Sequence, residues 1–167
     1  MTDNKTCRRC IMNTDVDPEI TFNESGDCNH CLRYDELIDT RVSRGPDAKI
    51  KLDELVNKIK KSGKGREYDC LIGVSGGVDS SYVAYLTKQL GLRPLAVHFD
   101  NGWNSELAVK NVENILNKLN IDLITYVIDW PEFKDLQLSF LKASVPDGEV
   151  PSDHAIQSTL WKFASKH

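Results

Sequence analysis

From Tyr68 onward the chain alternates short apolar runs with amphipathic stretches, and that order leaves few folds open. Residues 70–74, 95–99 and 123–128 are apolar runs of strand length. The first, residues 70–74, is the kind of run expected of a buried parallel strand, and the other two read as the second and third strands. Between them lie two helical patterns. Residues 80–90 place Tyr82, Val83, Leu86 and Leu90 on one side, with Gly91 as the stop. Residues 105–119 carry a stripe of Val112, Ile115, Leu116 and Leu119. Pro131 opens a further helix reaching about Ala143. A Pro/Gly-rich loop follows at 145–151, then a last helix from Asp153 to the end. Strand–helix–strand–helix order predicts an α/β fold with right-handed crossovers. Three strands make a small sheet, and the last helix points toward a fourth strand that this sequence does not contain. The expectation is therefore a truncated, N-terminal piece with an exposed sheet edge, prone to self-association.

The junction of the first strand and the first helix of this region reads Ser75-Gly76-Gly77-Val78-Asp79-Ser80-Ser81. Free N–H groups and the helix dipole make such a junction an anion site. Glycines let the main chain approach phosphate oxygens without a Cβ in the way. Ser75, Ser80 and Ser81 add hydroxyls. No Lys follows the glycines, so this is not the G-x4-G-K-[ST] loop of the common NTPases. A carboxylate at Asp79 makes sense beside phosphates if it faces a bound Mg²⁺. The plain alternative is an ordinary glycine turn with a helix cap. The second strand ends Leu95-Ala-Val-His98-Phe99-Asp100-Asn-Gly102, polar at the carboxyl edge where open α/β sheets bind ligands. His98 and Phe99 fit core packing equally well, and Trp103 and Trp130 fit either role.

The N-terminal third is of another kind. Cys7-Arg-Arg-Cys10 and Cys28-Asn-His-Cys31 hold four of the five cysteines, as two C-x2-C pairs in a stretch poor in apolar periodicity. That spacing suits a tetrahedral thiolate site, with structural Zn²⁺ as the preferred occupant over an iron–sulfur cluster, disulfides or four unrelated thiols. Metal binding would then supply the folding energy. Four protein thiolates leave no open position for substrate, so the role is structural. His30 reads as a bystander, and Cys70 as a small core residue. The implied organisation is a zinc-knuckle module over 1–40, a helix and linker over 41–66, and an α/β domain over 67–167. In the middle part Asp47 caps a helix to about Lys61 with Leu52, Leu55, Val56 and Ile59 inward, and residues 62–65 form a linker. Residues 32–40 read as one or two helical turns.

Charge and composition narrow the function classes. No apolar run approaches the ~20 residues of a membrane span. Residues 1–6 are polar and show no secretory signal, which points to the cytoplasm. Residues 1–66 hold 13 Lys/Arg against 12 Asp/Glu, while 67–167 hold 8 against 13. An acidic domain disfavours nucleic acid as a partner, a local basic patch aside.

The string Ser75–Ser81, placed after the first strand, resembles the pyrophosphate loop of the adenine nucleotide α-hydrolase, or ATP-pyrophosphatase (PP-loop), superfamily. The resemblance implies a Rossmann-like parallel-sheet domain that cleaves ATP to AMP and pyrophosphate. It makes residues 75–81 the phosphate site, Ser75 and Asp79 the catalytic candidates, and His98, Phe99 and Asp100 candidates for the adenosine pocket. Cys7-x2-Cys10-Ile-Met, Asp17-Pro18-Glu19-Ile20-Thr-Phe, Gly26-Asp27-Cys28-Asn29-x-Cys31 and Pro151-Ser152-Asp153-His154-Ala155-Ile156 resemble the N-acetyl sugar amidotransferase family of bacterial surface-polysaccharide and nonulosonic acid pathways. That likeness implies ATP and Mg²⁺, a small-molecule sugar substrate, and a partner glutaminase subunit supplying ammonia. The 151–156 segment would reach the substrate side of the pocket, or simply start a helix capped by Ser152 or Asp153. Two rivals stand beside it. One is a tRNA sulfur-transferase, which commonly carries further cysteines where residues 145–154 lie here. The other is a non-catalytic nucleotide- or zinc-binding module.

Overall fold

The computed structural model describes residues 4–167; residues 1–3, the start of the polar stretch read as lacking a leader, lie outside the described residues. The chain divides into two compact units, one up to Asp53 and one from Glu54 on.

In the first unit the main chain closes on itself around the cysteines. Bridges Thr6↔Asn13 and Phe22↔Cys28 are antiparallel. The Cys7 amide donates to the Met12 carbonyl at 2.8 Å, and the Arg8 amide to the Gly26 carbonyl at 3.0 Å. Gly26 takes the left-handed conformation that this turn requires, with φ 82°. The core is only Cys7, Ile20 and Cys28, with Met12, Phe22, Cys10 and Cys31 packed against it. Helix α1 (Asn29–Arg41) is longer than the expected one or two turns, because it starts inside the second C-x2-C with Cys28 as its N-cap. Helix α2 (Gly45–Ser62), whose residues from Glu54 on belong to the second unit, begins two residues ahead of Asp47, which sits in its first turn rather than capping it. Lys60 and Lys61 in the last turn favour the negative end of the dipole. Of its expected apolar stripe only Val56 is buried.

The second unit runs β1 (Cys70–Gly73), α3 (Val78–Gln89), β2 (Pro94–Asp100), α4 (Glu106–Leu119), β3 (Asp122–Val127), α5 (Trp130–Lys142) and α6 (Val150–Ala164). The sheet is parallel throughout, in the order β1-β2-β3. The expected α/β architecture is present, and β2 is buried along nearly its whole length because it is central. Side chains alternate across the sheet. Ile72 and Ala96 face a core completed by Ala84 of α3 and by Val112 and Leu116 of α4. Burying a Val or Leu side chain contributes about 1.5–3 kcal/mol. On the other side Gly73 pairs with Val97, and a Cβ on Gly73 would stand 3.5 Å from Leu160 of α6.

Local signals set the ends. Ser105 caps α4 by accepting from the Ala108 amide at 3.2 Å, and Asn120 closes it at φ 50°. Asp129 caps α5 by accepting from the Glu132 amide at 3.2 Å, with Pro131 in the first turn.

In the second unit two expectations change. Helix α3 buries Ala84, while Tyr82, Val83 and Tyr85 are exposed. A small side chain brings α3 close to the sheet, and the bulky residues turn outward. Helix α6 starts at Val150, not Asp153. Pro151 tolerates the first turn because the N–H it lacks would have no partner there. Ser152 and Asp153 therefore lie inside the helix and do not cap it.

Candidate functional site

The strand-to-helix junction is built around a glycine that nothing else can replace. Past Gly73 the chain leaves the ladder by one residue. The Val74 amide still donates to the Val97 carbonyl at 3.0 Å, while the Val74 carbonyl accepts from Nδ1–H of His98 at 2.8 Å. The loop then turns through Gly76 at φ 78°. A Cβ there would lie 2.3 Å from the Ala108 carbonyl oxygen of α4, a main-chain atom that cannot step aside. Asn111 Nδ2 also donates to the Gly76 carbonyl, at 3.3 Å.

Gly77 differs. It is the N-cap of α3 with φ −79° and ψ 166°, open to any residue. A Cβ on it would meet only Ser75 Oγ at 3.5 Å. Nothing in the chain requires glycine at 77, and the result is bare main chain at a helix N-terminus, where free N–H groups and the dipole favour an anion. The serines hold the loop. Ser80 Oγ accepts from the Ser75 amide at 3.2 Å and lies 3.2 Å from Ser75 Oγ. Ser81 Oγ donates to the Gly77 carbonyl at 2.7 Å. Val78 and Asp79 are exposed in the first turn. Residues 75–81 thus form one continuous rim, polar except for the exposed Val78.

Beside it, at the carboxyl ends of β1 and β2, lies a cleft of about 300 Å³. Ser75, Val97, His98 and Phe99 line it from the sheet, and Ile156, Thr159 and Leu160 from α6. This is where parallel α/β sheets bind ligands. Phe99 stacks on Tyr126 with centroids 6.3 Å apart. His98 serves both readings of it. It is 5% exposed, lines the cleft and locks the strand end, and its Nε2 has no hydrogen-bond partner among the described residues. Asp100 is engaged elsewhere, since its Oδ1 accepts from the Gly102 amide at 2.9 Å and from Asn104 Nδ2 at 3.2 Å. It shapes the turn after β2.

Sequence reasoning did not name Asn101, Asn104 and Thr159 among the lining residues. The first two follow β2 at the same carboxyl edge, a signal that was legible. Thr159 is a polar residue buried inside α6, visible only once the helix face is known.

The four N-terminal cysteines come together as expected, with all four Sγ atoms within 4.8 Å of one another. The thiols of Cys10 and Cys28 are 3.6 Å apart, and those of Cys7 and Cys31 4.0 Å. Burial alone would raise the Cys7 thiol; amides of Arg9 and Cys28 aimed at its sulfur outweigh that and bring it down to about 6. The Cys10 thiol beside it, with burial, pushes Cys31 up to about 12. Four sulfurs this close together make a donor set that fits a closed tetrahedral thiolate site. The His30 ring turns to Asp17, 2.7 Å away, outside the cluster. Cys70 stands apart in β1, where burial and Asp69 raise its thiol.

A cavity of about 220 Å³ at the opposite, amino end of the sheet is lined by Tyr68, Asp69 and Cys70 among others. Its carboxylate is committed to Arg93, and it lies at the end of the strands away from the loop. No helix among the described residues is long and apolar enough to cross a membrane.

Comparison with known proteins agrees with this geometry. The NAD synthase family profile matches residues 49–143, more than half of the chain. One of the subunits of the glutamine-hydrolyzing GMP synthase of Methanococcus vannielii is 39% identical over 107 residues, 62% of this chain and 31% of that protein. The tRNA-specific 2-thiouridylase MnmA of Helicobacter hepaticus is 32% identical over 94 residues, 54% of this chain and 27% of that protein. The NMN synthetase of Francisella tularensis has a similar fold, with a TM-score of 0.51 and 23% identity over 74% of this chain and 52% of that one. The chain spans less than a third of the length of these two curated relatives.

Proposed function

The chain belongs to the NAD synthase family, within the ATP-using PP-loop superfamily, and on that premise we propose that it works in an amidotransferase converting an acetamido group of a bacterial surface sugar to an acetamidino group. The observation that carries nucleotide binding is the glycine pair. Gly76 is required by its neighbours, and Gly77 is required by nothing in the chain except the ligand it leaves room for. ATP lies with its phosphates on residues 75–81 and its adenosine in the cleft beside His98 and Phe99. Asp79, with the hydroxyls of Ser75 and Ser80, offers the oxygen donors that Mg²⁺ prefers, and the ion would neutralise phosphate charge. The cysteine cluster holds a structural Zn²⁺.

The chemistry balances without a protein nucleophile. The acetamido oxygen attacks the α-phosphorus, an O–P bond forms, and the bond to the β-phosphate breaks with pyrophosphate carrying off the electron pair. Ammonia then adds to the activated carbon, and AMP leaves with the former amide oxygen. The chain's contribution is positioning and main-chain electrostatics. A partner glutaminase supplies the ammonia. The raised thiol of Cys70 is a poor nucleophile, and the other cysteines sit in the metal cluster. The test is AMP and pyrophosphate release by the whole enzyme with ATP, ammonia and acetamido sugars. Release that depends on the sugar supports the reading, and none with any acetamido sugar sinks it.

The likeness to a 2-thiouridylase favours a second reading, tRNA thiolation. Against it, residues 145–154 contain no cysteine, and the region from residue 67 on is acidic. Pyrophosphate release that depends on tRNA in place of sugar would establish it.

A further inference from the structure

A second cavity, of about 290 Å³, opens beside the nucleotide cleft. The two share Asn101, Asn104, Glu149 and Ser152 as a common wall. We infer that this second cavity is the acceptor subsite, and that it takes a neutral, amide- and hydroxyl-bearing group, the acetamido end of a sugar. The inference rests on the amidotransferase reading and adds to it where the acceptor lies and what charge it carries.

Three observations support it. The first is continuity. A group seated against Asn101 and Asn104 shares those residues with whatever occupies the cleft beside Ser75, so an acceptor oxygen and a bound nucleotide lie along one wall.

The second is the chemistry of the lining. Asn101, Asn104 and Gln137 are carboxamides, Ser152 is a hydroxyl, Glu149 a carboxylate, and Trp103 an indole. Carboxamides both donate and accept, so they pair with hydroxyls and with other amides. An indole face offers apolar surface to the C–H face of a sugar ring. Neither cavity has Lys or Arg among its described lining residues. An anionic acceptor would meet a carboxylate and no counter-charge, so the reacting end is not an anion, and the three carboxamides suit a neutral amide or hydroxyl group.

The third is preorganisation. Asn101 Oδ1 accepts from the Trp103 amide at 3.2 Å, and its Nδ2 donates to Ser152 Oγ at 3.4 Å. Asn104 Nδ2 donates to Asp100 Oδ1 at 3.2 Å. Gln137, 7% exposed, donates through Nε2 to the Gly148 carbonyl at 2.8 Å and ties α5 to the loop before α6. Trp103 is 63% exposed and stands edge-on to Trp130, with centroids 6.4 Å apart. Asn101 is oriented by two bonds, Asn104 and Gln137 by one each, and every one of the three amides retains a second N–H, as a recognition site needs.

The rival is that these amides only brace the loops around them. Binding to this chain separates the two. Side-chain and indole NMR signals of Trp103, Asn104 and Gln137 are followed while N-acetylglucosamine, cationic glucosamine or uridine is added, and ATP affinity is measured on the same sample. N-acetylglucosamine is expected to shift these signals saturably. Trp103→Ala should weaken its binding at least fivefold, Trp103→Phe should restore most of it, and ATP affinity should stay within twofold of wild type. Gln137→Leu, a second variant on the buried side, should weaken sugar binding in the same direction. Absence of any shift with N-acetylglucosamine while ATP still binds overturns the inference. So do shifts that are unchanged in Trp103→Ala, and so does a response to uridine alone, which would point to a nucleobase acceptor. Failure of the amidotransferase reading is seen separately, as absence of sugar-dependent pyrophosphate release.

Discussion

The cysteine knuckle and the glycine loop solve the same problem, holding irregular main chain in one shape, by opposite means. The knuckle has a core of three buried residues and four sulfurs within 4.8 Å of one another, an arrangement that a cation would hold together. The loop is fastened by contacts within the chain itself. It is held by an Ala108 carbonyl against Gly76, an imidazole against the Val74 carbonyl and serine hydroxyls along its rim. The lesson is that irregular backbone can be specified either by a strong point attachment or by a sheet-and-helix frame that leaves one conformation open. The first fails all at once and the second fails by degrees.

The largest expected effect follows directly. Structural zinc in small thiolate modules contributes about 10–16 kcal/mol of binding free energy that serves as folding energy. Chelation, or Cys28→Ser, should therefore unfold the first unit outright. The amide NMR dispersion of Cys7, Ile20 and Phe22 should collapse, while signals of Ile72, Ala96 and Leu116 keep theirs, because the two cores share no residue. Retention of the knuckle's dispersion with no metal bound would break the contrast.

The loop makes a sharper test, since its two glycines should behave unlike each other. Gly76→Ala drives a Cβ into a main-chain oxygen and also forces a left-handed backbone on alanine. A loss of about 2–4 kcal/mol in denaturant unfolding is expected, given that strained φ/ψ alone costs about 1–3 kcal/mol. Gly77→Ala should cost less than about 1 kcal/mol, the scale of an N-cap change. It should nevertheless lower ATP affinity tenfold or more in a titration, because the new methyl occupies the surface the phosphates approach. Equal stability losses at the two positions would mean that the loop is held differently from this account.

How much of this was legible in the sequence depends on which force specifies the feature. The three strands, the stripe of α4 and the cysteine cluster follow from periodicity and spacing, so residues 95–99, 112, 116 and the four thiols fall where sequence reasoning put them. The inward face of α3 did not, since Tyr82 and Val83 look more apolar than Ala84, and only the closeness of helix to sheet selects the small residue. The start of α6 was also missed, because Pro151 reads as a loop signal as readily as a first-turn residue. Within the site, residues 75–81 were visible as a string. The distinct duties of Gly76 and Gly77, and the diversion of Asp100 to the turn after β2, depend on contacts with α4 and Asn104 that no local pattern encodes.

His98 offers a middle-sized test of the frame. His98→Ala removes the donor that holds the Val74 carbonyl and leaves that buried oxygen unsatisfied, at a cost of about 1–3 kcal/mol. Nucleotide affinity should fall with it, since Val74 directly precedes the loop. His98→Asn, which can still present an N–H, should recover part of both losses.

The smallest effect lies at the amino end of the sheet, far from both devices. Asp69 accepts from the Arg93 amide and guanidinium, and Arg93 also donates to the Arg66 and Gly63 carbonyls, so the pair fastens the starts of β1 and β2. Arg93 holds the Asp69 carboxyl below its ordinary value. A depressed carboxylate binds its proton more weakly folded than unfolded, so its stabilisation is complete above the ordinary carboxylate pKa of about 4 and fades as pH falls through the lower folded value. Half of the Arg93 side chain is exposed, and solvent screening keeps the effect modest. Denaturant midpoints should therefore fall as the pH drops below about 4, and in Asp69→Asn this part of the decline should be missing while the glycine-loop and knuckle effects persist. An identical acid profile in the variant would show that the two strand starts are fastened by something other than this ion pair.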